Sequence, residues 1–76
     1  MNLIDQIQQR LLNAFPDAET NLNDYKHDGV HVIIEIKSSA FKNLSLVQQH
    51  QLVYKALTDL LNSGELHAVK LKTVSK

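Results

Sequence analysis

Val30-His31-Val32-Ile33-Ile34-Glu35-Ile36-Lys37 alternates two sets of side chains with a period of two. Val30, Val32, Ile34 and Ile36 fall on one side, and His31, Ile33, Glu35 and Lys37 on the other. Strong β-branched enrichment with this period predicts a strand with one face set against a core. It is bounded upstream by the turn-rich stretch Asn23 to Gly29, which contains Lys26-His27-Asp28-Gly29, and downstream by Ser38 and Ser39. The apolar face of this strand needs a cover, and the flanking sequence supplies it.

Downstream, Ser45 with Gln48 three residues later reads as a capping box, so a long helix is expected to start at Leu46. Its apolar phase runs through Leu46, Val47, Val53, Tyr54, Leu57, Leu60 and Leu61. It stops at Asn62-Ser63-Gly64, where Gly64 can take the left-handed conformation that closes a helix. Upstream, Leu3, Ile4, Ile7, Leu11, Leu12 and Phe15 recur at steps of three and four, the pattern of an amphipathic helix. Asn2 is placed to cap it, Asp5 complements the positive end of its dipole, and Pro16 forbids its continuation. A weaker alternation of Ala18, Thr20 and Leu22 predicts a first strand. Leu66 to Val74 alternates again, with His67, Val69, Leu71 and Thr73 on one side and Ala68, Lys70 and Lys72 on the other. The resulting order, helix, strand, strand, helix, strand, is a small α+β fold with two helices covering one face of a three-stranded sheet.

Seventy-six residues allow one domain, spanning 1–76, and a chain this short buries only about 60% of its unfolded surface, so its core is small. Eight Lys and Arg balance eight Asp and Glu. That leaves no global field for drawing the chain onto phosphate or an anionic membrane. The balance is uneven along the chain: residues 1–38 carry three cations and six anions, residues 39–76 five cations and two anions. The absence of cysteine excludes disulfides, zinc ribbons, a catalytic thiol and a cluster held by the chain's own thiolates. No apolar run approaches the roughly 20 residues of a membrane helix, and Met1 is followed by Asn2 to Asp5 with no basic-then-apolar leader. The expected location is the cytoplasm, with no membrane partner.

Four histidines are the one unusual chemical resource. His50 shares the helical phase of Leu46, Val53, Tyr54 and Leu57, which reads as a helix-boundary histidine with a local hydrogen bond. His27 and His31 flank Asp28-Gly29, a weak metal signal for which solvated turn histidines are the favoured reading. A self-contained zinc site needs three or four ligands, and without cysteine only distant His67 or carboxylates remain. His67 opens a strand after a helix cap and turn, a margin position that suits a ligand shared with another molecule; a partly buried histidine donating to backbone is the alternative. By parity His31 belongs with Glu35 and Lys37, while His67 belongs with Val69 and Leu71. In mid-sheet the two would point apart, whereas at strand ends a bulge can bring them together.

Catalysis finds no support in a Ser/His/Asp arrangement or a phosphate-binding glycine loop, with two glycines in all, so no enzyme is expected. A nucleic-acid reading rests on Lys70, Lys72 and Lys76 with Lys42 and Lys55. No aromatic residue interleaves these lysines, and solubilising surface charge is the favoured reading of them.

Three stretches taken in order resemble the BolA-like proteins: Phe41-Lys42-Asn43-Leu44-Ser45-Leu46-Val47, then His50-Gln51-Leu52-Val53-Tyr54-Lys55-Ala56-Leu57, then Glu65-Leu66-His67-Ala68-Val69. The family pattern is a Phe-x-Gly-x-Ser turn, a helix carrying a Val-Tyr pair, and a His-Ala dipeptide before the last strand. Asn43 stands where the turn glycine is usual, a replacement the left-handed conformation tolerates. Gln48, Gln49 and Gln51 stand where basic residues often surround His50.

The resemblance implies a type II KH-like fold, α-β-β-α-(α)-β, with a mixed sheet, helices on one face and a short third helix within Asp59 to Gly64. It implies a monothiol glutaredoxin as partner and a [2Fe-2S] cluster bridged between the two proteins. Cysteine and glutathione on the partner side would supply the thiolates, and the isolated chain would bind no cluster. The family's closing histidine corresponds to His67. The second ligand comes from the loop before the second strand, where His31 and His27 compete; Gly29-Val30-His31-Val32 resembles the Gly-x-His segment of a shorter-loop subgroup. Imidazole in place of thiolate on one iron raises the cluster potential and makes binding sensitive to protonation. A DNA-binding transcriptional regulator using Lys70, Lys72 and Lys55 is the alternative expectation, and a weak homodimer is a further association the family allows. The Gly-x-x-Gly clamp of RNA-binding KH domains is absent.

Overall fold

The alternating stretch forms the central strand of the sheet in the computed structural model, which describes residues 3–24, 31–64, 66 and 68–76. In chain order the elements are α1 (Leu3–Ala14), β1 (Glu19–Asn23), β2 (His31–Ser38), a 3-10 turn (Ser39–Phe41), α2 (Leu46–Ala56), α3 (Thr58–Asn62) and β3 (Ala68–Ser75). The sheet order is β1-β2-β3. β1 runs antiparallel to β2 and β3 runs parallel to it, so the sheet is mixed. A parallel neighbour requires a crossover, which the helices between β2 and β3 provide.

Val32, Ile34 and Ile36 of β2 are fully buried, as their period requires, and Ser38 continues the buried row. Ile7, Leu11 and Phe15 cover them from the α1 side, and Phe41, Val53, Leu57, Leu60 and Leu66 complete the core. The rings of Phe15 and Phe41 meet at 5.2 Å between centroids, tilted by 53°, an arrangement that aromatic quadrupoles favour.

Two expectations need correction. The single long helix is two: α2 ends at Ala56, and Leu57 leaves helical geometry at φ −105°, ψ 10°. The Thr58 hydroxyl then donates to the carbonyls of Tyr54 and Lys55 at 3.1 and 3.0 Å. The Leu57 N–H is directed to the same carbonyls, and Thr side chains compete with the backbone for such acceptors. The third helix implied by the resemblance is therefore present, over Thr58–Asn62. Second, Leu46 and Val47 do not join the core: they are 61% and 66% exposed, and Tyr54 is 40% exposed. Only Val53 of α2 is fully buried, because α2 meets the sheet along a narrow stripe.

The local signals are realised as read. Ser45 Oγ accepts from Gln48 N at 3.2 Å and Gln48 Oε1 accepts from Ser45 N at 3.0 Å, the reciprocal capping box. Asn43 takes φ 65° and Gly64 φ 80°, the two left-handed positions among the described residues. α1 stops at Ala14, with Phe15 N still donating to Leu11 O at 2.8 Å before Pro16 ends the ladder. Strand limits shift by a residue or two: β1 covers 19–23 and β3 begins at Ala68, with Leu66 buried ahead of it. The expected Asn2 cap and the Lys26-His27-Asp28-Gly29 turn lie outside the described residues.

Candidate functional site

His31 is the first residue of β2 and is half-buried. Cross-strand partners share a face of the sheet, so the ladder sets its surroundings. Glu19, Lys37 and Val74 form one row of the open face; Asn21, Glu35 and Lys72 form the next; Asn23, Ile33 and Lys70 follow. His31 ends this face in register with Ala68. The parity assigned from sequence, His31 with Glu35 and Lys37, is thus the observed one. Ala68 follows His67 directly in the chain, so the parallel pairing of β2 with β3 aligns the start of the strand that carries His31 with the residue after the His-Ala histidine. His67 and His27 themselves lie outside the described residues.

Among the described residues no group of three or more His, Asp or Glu could hold a metal ion, and the chain has no cysteine.

His50 lies half-buried on α2, and its Nε2 is enclosed without a hydrogen-bond partner among the described residues. The local hydrogen bond expected of it is not made through that atom. The adjacent Gln49 does the bonding: its amide nitrogen donates to Leu44 O at 3.0 Å and Phe41 O at 3.4 Å, and its Oε1 accepts from Thr73 Oγ1 at 2.6 Å. One side chain therefore ties α2 to the turn before it and to β3. In the sequence Gln49 is marked only as one of three glutamines standing where basic residues often surround His50, and nothing in that announces three partners in two elements.

Asp17 was unmarked. Its carboxylate accepts from Ser38 Oγ at 2.7 Å, Ser39 N at 2.9 Å and Ser39 Oγ at 2.6 Å. These bonds, with the Lys76 charge, hold its pKa far below the ordinary 3.8. Lys76 Nζ also donates to Asp17 O at 2.7 Å. On the opposite flank Arg10 grips Asp59 through Nε and Nη2 at 2.6 to 3.0 Å, which lowers the Asp59 pKa. Both clusters fasten elements together, and neither presents an unsatisfied group to a substrate.

The lysines are dispersed. Lys72 lines a shallow open-face cavity of about 280 Å³ together with Glu19, Asn21, Glu35, Lys37 and Val74, so acids interleave with bases there. Lys70 shares that face by register. Lys55 lies instead with Leu44, Gln48, Gln51 and Leu52 around a groove on α2. Lys70 and Lys72 do not combine with Lys55 into one basic surface. Among the described residues no helix is long and apolar enough to cross a membrane.

Comparison with known proteins bears on the same elements. The BolA-like protein family matches residues 7–76, from the middle of α1 to the end of β3. The chain belongs to the BolA-like family. BolA1 from Arabidopsis thaliana is similar in structure, with a TM-score of 0.88 and 29% identity over 99% of this chain and 93% of that one. The BolA domain of SufE1 from Arabidopsis thaliana aligns with a TM-score of 0.83 and 33% identity over 93% of this chain and 88% of that one. A protein of Rickettsia prowazekii is 35% identical over 93% of this chain and 91% of its own length. These BolA structures share the mixed three-stranded sheet and three helices, so the α-β-β-α-α-β order is that of the family.

Proposed function

We propose that this BolA-like chain is a non-enzymatic adaptor that pairs with a monothiol glutaredoxin and shares a bridged [2Fe-2S] cluster as cargo. His67 serves as one imidazole ligand and His31 or His27 as the other. The observation that carries the reading is the register of His31 with Ala68, the residue that follows His67. The proposed pair is thus one histidine at the start of β2 and one that precedes the start of β3 in the chain. The absence of cysteine fits a shared site, since sulfur donors must then come from the partner and its glutathione. Imidazole binds iron only when neutral at the ligating nitrogen, which makes cluster sharing sensitive to protonation.

The second reading, a duplex-DNA regulator, draws on Lys55, Lys70 and Lys72. It is the weaker one because Glu19 and Glu35 share the open face with Lys37 and Lys72, and phosphate tracking wants contiguous cations. One experiment separates the two. The chain is titrated into a [2Fe-2S]-loaded monothiol glutaredoxin and followed by absorption and circular dichroism. A new visible dichroism that His67→Ala removes is the expected result. An unchanged spectrum, or one indifferent to His67→Ala, contradicts the proposal, and steep salt-dependent duplex binding would favour the regulator.

A further inference from the structure

The open face of the sheet carries a hollow of about 280 Å³ over the C-terminal half of β2. That is just under the range of pockets for drug-sized ligands and suits a smaller molecule. Glu19, Glu35, Lys37 and Lys72 rim it, all four exposed, with Asn21 and Val74 between them. The register sets a base directly across from each acid, Lys37 from Glu19 and Lys72 from Glu35. Opposite charges so placed are within reach of one another. Yet none of the four side chains makes an ion pair among the described residues. Two acids and two bases therefore surround one hollow, with no internal pair for a ligand to break.

The like charges are diagonal neighbours. Glu19 and Glu35 flank the gap between β1 and β2, because Glu35 pairs with Asn21, two residues along from Glu19. Lys37 and Lys72 flank the gap between β2 and β3, because Lys37 pairs with Val74, two residues along from Lys72. Diagonal neighbours lie about 7 to 8 Å apart, a span that long side chains bridge onto a shared ion. The hollow thus has an anionic half and a cationic half, whose centres are one strand spacing, about 4.8 Å, apart. A lone anion meets only the lysines, and a lone cation only the glutamates. An α-amino acid carries both charges on one carbon, closer together than the two halves. An extended chain of three methylenes between nitrogen and carboxyl carbon separates them by about 5 Å and matches the spacing.

We propose that this hollow binds a small zwitterion with well-separated charges, an unbranched ω-amino acid of the γ-aminobutyrate kind. Its ammonium sits between Glu19 and Glu35, its carboxylate between Lys37 and Lys72, and its methylenes cross β2 between the two. Charge spacing supplies the choice of ligand, since neither half of the site alone distinguishes the zwitterion from a simple ion. No histidine lines the hollow, so it is independent of the cluster-sharing reading.

The test titrates the ¹⁵N-labelled full chain at low salt with four probes: γ-aminobutyrate, glycine, butyrate and n-butylamine. Glycine has both charges at the wrong spacing, and the last two carry one charge each. γ-Aminobutyrate should give saturable amide shifts centred on residues 19–21, 35–37 and 72–74, with a Kd on the order of 1 mM. The other three should bind at least about fivefold more weakly. Glu35→Gln and Lys72→Gln, both at exposed positions, should each weaken γ-aminobutyrate by about threefold to tenfold and leave the far-ultraviolet circular dichroism unchanged. Butyrate or butylamine binding as tightly as γ-aminobutyrate would overturn the proposal, because the site would then read one charge only. Equal binding of glycine, shifts centred elsewhere, indifference to both substitutions, or no saturation by about 50 mM would overturn it as well.

Discussion

Thr73 Oγ1 donates a 2.6 Å hydrogen bond to Gln49 Oε1, joining the last strand to the second helix from 24 residues away. The same glutamine spends its amide hydrogens on the carbonyls of Phe41 and Leu44. Gln49→Ala leaves a strand hydroxyl and two turn carbonyls to find new partners, at a cost of about 1 to 3 kcal/mol. Chemical denaturation with unchanged m-value checks this. Thr73→Val should incur less than half of that loss, because the two turn carbonyls keep their glutamine.

Phe41 is fully buried and meets Phe15 in the core beneath β2. Phe41→Ala should cost about 3 to 5 kcal/mol, most of what a domain of this size holds. The variant should be largely unfolded at 37 °C by circular dichroism, whereas Phe41→Leu should remain folded with a lowered midpoint.

Asn43 occupies a left-handed conformation at φ 65°. Asn43→Gly should leave stability unchanged or raise it slightly, since glycine meets no steric penalty there. Asn43→Val should lose about 1 to 2 kcal/mol. Thermal melts of the two variants settle the sign.

Asp17 carries an acid-sensitive contribution to stability. Its folded-state pKa lies below the unfolded value, so its three hydrogen bonds stabilise the protein fully above about pH 4. That stabilisation fades as the pH falls toward the folded value. Urea midpoints measured from pH 5 to pH 2 should drop more steeply for the native chain than for Asp17→Asn, with the two curves converging at low pH.

What the sequence revealed is what neighbours in the chain decide. The β2 alternation, the Ser45–Gln48 capping box, and the left-handed Asn43 and Gly64 each depend on a few consecutive residues and were legible. The end of α2 at Ala56 was not: Leu57, Leu60 and Leu61 keep an apolar phase across it, and the Thr58 hydroxyl that bonds back to Tyr54 and Lys55 is one threonine among several. Leu46 and Val47 carried the right period but sit beyond the width of the helix–sheet contact, which no single helix encodes. The side of the sheet that His31 occupies followed from parity. Its alignment with Ala68 did not, because the register of two parallel strands is set by the whole crossover between them. Gln49 reaches Thr73 across 24 residues and Asp17 reaches Ser38 and Ser39 across 21 and 22, separations over which composition carries no signal.

The central claim is that imidazole from this chain ligates an iron whose thiolates belong to another protein. It is tested most directly by pulsed electron paramagnetic resonance on the reduced [2Fe-2S] complex, assembled from a monothiol glutaredoxin and this chain labelled with ¹⁵N only at histidine. Coupling of the cluster spin to ¹⁵N that disappears in His67→Ala is the predicted result. A cluster spectrum with thiolate ligation alone and no histidine nitrogen coupling would contradict the account.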